Sequence, residues 1–192
     1  MTNIKESIRQ SIETKQNILK DTRLLKVIED VAGACTTAFC NGNKVLFCGN
    51  GGSAADAQHL AAELSGRFYY DRPPLHAEAL HVNTSYLTAV ANDYSFDEVY
   101  SRIVKGIGHE GDVLIGLSTS GNSNNVIRAF EVANEAGMLT VAFTGESGGK
   151  MKNIVDFLIN VPSDDTPRIQ ESHIMIGHII CEIVESSLFP KE

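Results

Sequence analysis

The run Val113-Leu114-Ile115-Gly116-Leu117-Ser118-Thr119-Ser120-Gly121-Asn122-Ser123 decides the fold. Its first five residues are an apolar stretch of strand length. The next six carry four hydroxyl side chains and one glycine. A helical pattern, Val126-Ile127-Arg128-Ala129-Phe130, comes after them. A strand, a polar turn and a helix in this order bring free backbone N–H groups and the positive end of a helix dipole to a cluster of hydroxyls, which suits an anion. A helix cap accounts for Ser123 or Asn122. It leaves Ser118, Thr119 and Ser120 unexplained, so the turn reads as a phosphate site.

Outward from this run the alternation repeats. Val45-Leu46-Phe47-Cys48, Ala79-Leu80-His81-Val82, Val113 to Leu117, Thr140-Val141-Ala142-Phe143 and Phe157-Leu158-Ile159-Asn160-Val161 read as strands. Helical stretches lie over 54–64, near 84–91 and 97–108, over 123–136 and over 167–188, with a short signal at Met151-Lys152-Asn153-Ile154. Short apolar strands, each followed by a helix, indicate a parallel sheet covered on both faces. Two helices precede the first strand. Ile4, Ile8 and Ile12, extended by Ile18 and Leu19, mark one over residues 2–20. Leu24, Leu25, Val27, Ile28, Val31, Cys35 and Phe39 mark the other, which ends at Asn41-Gly42-Asn43. The expectation is one domain over 1–192, with a helical extension over 1–42 and an α/β core over 43–192. The core is expected to be doubly wound and flavodoxin-like, with a five-stranded parallel sheet. In such sheets ligands bind beyond the C-terminal strand ends, where strand order reverses. The long amphipathic first helix is expected to pack on a second subunit.

Composition narrows the partners. Of 192 residues, 43% are apolar and 21% charged, enough for a substantial core. No apolar window reaches the ~18 residues of a membrane span, and the start, Met1-Thr2-Asn3-Ile4-Lys5-Glu6, lacks a signal-peptide core. A cytoplasmic protein without a membrane partner is expected. The net charge of −8 argues against nucleic acid and leaves a bound phosphate to hydroxyls, backbone N–H groups and dipoles. Cys35, Cys40, Cys48 and Cys181 form no C-x-x-C pair and read as reduced, packed thiols.

A second phosphate-type turn follows the first strand: Cys48-Gly49-Asn50-Gly51-Gly52-Ser53. It lacks the P-loop lysine and the G-x-G-x-x-G spacing, so it is neither a nucleotide loop nor a dinucleotide fingerprint. Ser53 can cap the helix or bond a ligand oxygen. Two such turns can enclose one anionic sugar. On the helix after this turn, His59 and Glu63 at i and i+4 share a face. Spacing alone makes them an ordinary surface ion pair. On the last helix His173 and His178 are about 140° apart, whereas Gln170 and His178 are about 80° apart and two turns along the axis, as an elongated cleft allows. The residues themselves do not choose between the histidines.

The motifs together are more specific. They are Gly49-Asn50-Gly51-Gly52-Ser53, His59-x-x-x-Glu63-Leu64-x-Gly66-Arg67, Asn92-Asp93, Gly116-x-Ser118-Thr119-Ser120-Gly121-Asn122-Ser123, Thr144-Gly145-x-x-Gly148-Gly149-Lys150-Met151 and Arg168-Ile169-Gln170-Glu171-x-His173-x-x-x-x-His178. In these, residues from about 44 to 180 resemble the sugar isomerase (SIS) domain and, within it, the bacterial phosphoheptose isomerases. The resemblance implies conversion of D-sedoheptulose 7-phosphate to D-glycero-D-manno-heptose 7-phosphate through an enediol(ate), the first step to the heptose of lipopolysaccharide core or capsule. It implies Glu63 and His178 as the base and acid pair, and zinc on His59, Glu63, Gln170 and His178, one ion per subunit. It implies sugar contacts at Asn50, Gly51, Gly52, Glu63, Asn92, Asp93 and Gln170, and phosphate contacts at Ser53, Ser118, Thr119, Ser120 and Ser123. Arg67, a cation taken to lie near the first turn, assists the phosphate or pairs with an acid at a subunit boundary. A homotetramer is implied. Some SIS relatives are adaptors that bind the bacterial replication initiator and lack the catalytic set; here His59, Glu63, Gln170 and His178 are all present.

Overall fold

The computed structural model describes residues 3–191. Five parallel strands form one sheet: β1 (Val45–Gly49), β2 (Ala77–Ala79), β3 (Val113–Leu117), β4 (Leu139–Thr144) and β5 (Phe157–Asn160). Their order is β2-β1-β3-β4-β5, the flavodoxin-like doubly wound order, with its reversal between β1 and β3. The helices among the described residues are α1 (Ile4–Lys20), α2 (Thr22–Cys40), α3 (Gly52–Ser65), α4 (Thr84–Asp93), α5 (Val99–Ile107), α6 (Asn124–Glu135) and α7 (Thr166–Leu188). The expected strand, helix and single-sheet plan is met. None of these helices is long and apolar enough to cross a membrane.

Each sheet face has its own core. Residues of α2, α3 and α7, with Ile18 of α1, pack on Phe47, Ile115, Leu117, Val141 and Phe143. Residues of α4, α5 and α6 pack on Leu46, Cys48, Leu114 and Ala142. Adjacent strand residues divide between the two cores, as the period of two requires. Below the sheet, the Asp112 carboxylate accepts from Lys44 Nζ at 2.5 Å and from the Lys44 backbone N–H at 3.0 Å. This buried pair starts β1 and β3 level, and the register runs Val45↔Val113 through Gly49↔Leu117. The two candidate phosphate turns therefore leave the sheet side by side at the reversal.

Three expectations need correction. The second strand was expected over 79–82 but spans Ala77–Ala79. Pairing with β1 sets this register, Val45↔Ala77, and Leu80 is buried beyond the strand end, its N–H bonded to Phe47 O. Cys40 is exposed, unlike Cys35, Cys48 and Cys181, because it falls on the outer side at the end of α2. Arg67 lies past the C-terminal end of α3, a 14-residue helix about 21 Å long, so it is remote from the first turn.

Candidate active site

The turn after β1 is held by backbone and amide bonds. Ser53 N–H donates to Asn50 O at 3.0 Å, and Tyr100 OH donates to Gly49 O. Gly51, at φ 56, is the N-cap of α3 and supplies no side-chain cap. Ser53 is thus the second residue of α3 and almost fully buried, not its cap. The Asn50 and Asn125 amides donate to each other, both at 2.9 Å. Asn125 is 2% exposed and sits in the first turn of α6. This reciprocal pair fixes the separation of the two turns, and sequence reading missed it because Asn125 lies outside both motifs.

The turn after β3 is braced from below. Ser118 N–H donates to Phe143 O at 2.9 Å, and Ser118 Oγ and Ser123 Oγ lie 2.9 Å apart. Ser123 is the N-cap of α6 but makes no side-chain cap bond, so its hydroxyl is turned toward Ser118 instead. Gly145 N–H reaches Thr119 O at 2.9 Å, Met151 N–H reaches Gly121 O at 3.2 Å, and Lys150 N–H reaches Asn122 Oδ1 at 3.1 Å. Gly149, at φ 51, comes so near that a Cβ there would lie 2.5 Å from both Ser120 O and Gly121 O. The Thr144–Met151 motif is therefore the floor of the candidate phosphate turn. A cavity of about 350 Å³ opens between Thr119, Ser120, Asn122, Gly145, Ser163 and Thr166.

The third part lies along the seam of α3 and α7. His59 Nε2 and Glu63 Oε1 are 3.0 Å apart, one turn along α3. The His178 ring stands edge-on to that of His59 with centroids 4.9 Å apart. One donor atom from each of His59, Glu63 and His178 lies within 4.8 Å of the others. This geometry resolves the two histidines of α7. His173 is fully buried, with its Nε2 3.1 Å from Thr144 O and its ring on Phe143. Burial pushes it down to about 4, despite that bond, so it is neutral. His178 faces α3. The helices approach closely here, since a Cβ on Gly177 would lie 2.5 Å from Leu60 Cδ1. Asp56, one turn before His59, also feels this cluster: burial pushes its carboxyl up while His59 and His178 draw it down.

Two nitrogens and a carboxylate oxygen match the ligand chemistry of zinc. His178 Nε2 is buried without a hydrogen-bond partner among the described residues, as an atom reserved for a ligand would be. These three residues therefore fit such an ion. Gln170 is not with them. Its amide lies 2.7 Å from where a Gly52 Cβ would stand, while eight residues of α7 put it about 12 Å from His178 along the axis. Gln170 thus joins the β1 turn. The side chains of Asn92 and Asp93, at the end of α4, are exposed and bonded to each other at 2.9 Å.

The family model described as SIS domain matches residues 8–145. The phosphoheptose isomerase of Aneurinibacillus thermoaerophilus is 54% identical over 186 residues, covering 97% of this chain and 94% of the relative. The solved structure of phosphoheptose isomerase from Neisseria gonorrhoeae superposes with a TM-score of 0.90 at 45% identity, covering 95% of this chain and 97% of that one. That of Francisella tularensis gives a TM-score of 0.92 at 38% identity, covering 95% and 96%. The chain belongs to the SIS-domain family and, within it, to the phosphoheptose isomerases.

Proposed function

We propose that this protein isomerises D-sedoheptulose 7-phosphate to D-glycero-D-manno-heptose 7-phosphate in the cytoplasm, supplying the heptose of lipopolysaccharide core or capsule. The observation that carries the reading is the convergence of His59, Glu63 and His178 on the α3–α7 seam of a chain in this family. An aldose–ketose exchange moves a proton between adjacent carbons. It needs a base at carbon, a proton carrier at the oxygens and a grip on the remote phosphate. Glu63 takes the carbon-bound proton and His178 moves protons at the oxygens. Ser53, Ser118, Thr119, Ser120 and Ser123 hold the phosphate, with N–H groups at the starts of α3 and α6. Asn50, Gly51, Gly52, Asn92, Asp93 and Gln170 contact the sugar. His59, Glu63 and His178 would hold zinc, which when bound supplies a Lewis acid for the carbonyl oxygen.

The two ends of this machinery lie apart in one chain. Eleven residues of α3 separate Gly52 from Glu63, about 16 Å along the axis. The reading therefore includes a homotetramer with sites at subunit boundaries. The exposed stripe Ile4, Ile8, Ile12 and Leu19 on α1 supports association, since such a face gains by burial. The test is NMR of sedoheptulose 7-phosphate incubated with the purified protein in D2O. Deuterium entering at C1 or C2 is expected, with loss on chelation and return on adding zinc. No exchange refutes the isomerase, and exchange unaffected by chelator refutes the metal.

A further inference from the structure

Arg72 and Glu185 form an ion pair beside the candidate site, each side chain 1% exposed, with Arg72 Nε donating to Glu185 Oε1 at 3.1 Å. Burying two charges is unfavourable unless their remaining donors and acceptors are also met. Here they are. Arg72 Nη2 donates to Glu63 O at 2.8 Å, and Nη1 to Leu64 O at 2.7 Å, Gly66 O at 3.1 Å and Pro73 O at 3.0 Å. The Glu185 carboxylate accepts the backbone N–H groups of Phe68 at 2.9 Å and Tyr69 at 2.8 Å.

These partners are not an arbitrary part of the core. Glu63, Leu64 and Gly66 carry carbonyls at the C-terminal end of α3, which a helix leaves unpaired. The last turn of α3 contains no basic residue of its own, so Arg72 supplies the cap from the following loop. Glu185 follows His178 by seven residues, two turns on along one face of α7. The loop that its carboxylate gathers contains Phe68, whose ring packs against the His178 ring with centroids 5.7 Å apart. One end of the pair therefore grips the backbone of Glu63. The other shapes the segment against which His178 rests.

We propose that Arg72 and Glu185 are positioning residues for the isomerase reaction: through the Glu63 carbonyl and the Phe68 ring they hold the base on α3 and the proton carrier on α7 in fixed relation. The proposal rests on the assignment of Glu63 and His178 above. It predicts damage to turnover rather than to binding, because the phosphate turns lie at the other end of α3. Misplacement of reacting groups by about 1 Å costs up to about 100-fold in rate.

The experiment compares Arg72→Lys, Glu185→Gln and Phe68→Leu with Glu63→Gln and His178→Ala in the full-length protein. Steady-state kinetics on sedoheptulose 7-phosphate are normalised to folded protein by circular dichroism, and kcat and KM are read separately. Arg72→Lys keeps the charge but not the planar fork, and Glu185→Gln keeps the shape but not the charge. In both, kcat is expected to fall about tenfold or more with KM within about twofold. Phe68→Leu, on a half-buried ring, is expected to lower kcat with secondary structure intact, and it decides the matter if the other two do not fold. A merely structural pair would lower thermal stability yet leave kcat per folded molecule unchanged. That result, beside inactive Glu63→Gln and His178→Ala, overturns the proposal alone. Full activity in Glu63→Gln and His178→Ala overturns the site assignment and the proposal with it.

Discussion

Gly177→Ala tests the spacing of α3 and α7 at the level of the candidate catalytic groups. A Cβ at 177 would lie 2.5 and 2.6 Å from the two terminal carbons of Leu60. Carbon atoms at rest are about 3.5–4.0 Å apart, so roughly 1 Å must be found. Leu60 is 1% exposed, and the void it shares with Gly177 and Cys181 is about 10 Å³. Packed on all sides, Leu60 has little room to turn away from an added methyl group. Part of the separation comes from the Leu60 side chain and the rest from the helices. Replacing a mid-helix glycine with alanine gains about 1 kcal/mol of helix propensity, and overpacking costs about 1–3 kcal/mol, so the net loss lies between about 0 and 2 kcal/mol. The effect on rate is larger. His178 is the next residue on α7 and His59 adjoins Leu60 on α3, so the part of the shift that the helices take, up to about 1 Å, acts directly on the pair and lowers kcat by up to about 100-fold. A loss of 2 kcal/mol from the ~5–15 kcal/mol of an ordinary domain leaves nearly all molecules folded, so instability does not account for that fall. Urea unfolding and kinetics on sedoheptulose 7-phosphate measure the two effects separately. Adding Leu60→Ala removes the opposing carbons. The double variant is expected to recover turnover while losing about 2–5 kcal/mol of stability. A Gly177→Ala protein with wild-type kcat and raised stability would refute the reasoning.

Other predictions use the same substrate or the fold itself. Glu63→Gln and His178→Ala should each remove nearly all turnover while circular dichroism remains that of the folded protein; full activity in either refutes its role. Ser120→Ala should mainly raise KM, by about 10- to 100-fold for the loss of one hydrogen bond to a charged group of about 1.5–3 kcal/mol, and a collapse of kcat at unchanged KM would show that Ser120 acts elsewhere. His173 titrates near 4 when folded against about 6.5 when unfolded, so the unfolded chain binds more protons between these values. Its contribution is complete above about pH 6.5 and is lost as pH falls toward 4, amounting to about 2 kcal/mol between pH 7 and pH 5. Urea titrations at those two pH values should show that loss in the native protein and a smaller one in His173→Gln; equal losses would refute it.

Much of this was legible in sequence because short-range patterns carried it. The five apolar runs, the helical periods and both turns are local, and four of the strands lie where their residues indicate. β2 was misplaced because Leu80-His81-Val82 resembles a strand better than Ala77-Glu78-Ala79 does, and pairing to β1 overrode propensity. His59 and Glu63 were visible as a helical pair, but their meeting with His178 depends on how α3 and α7 cross. The geometry of Gln170 was out of reach for a related reason: spacing on α7 allowed it to share a cleft with His178, and contact with Gly52 placed it at the other end. Asn125 and the Arg72–Glu185 pair left no local signal, since their bonds join residues 75 and 113 positions apart.

The brevity of β2 bears on how copies of this protein can meet. A three-residue edge strand offers too few free backbone groups to template another chain, and its middle residue, Glu78, points outward with a charge. Pro73 and Pro74 precede it and cannot donate to a ladder. That margin of the sheet is sealed against runaway strand addition, which leaves any contact between copies to the other faces of the molecule.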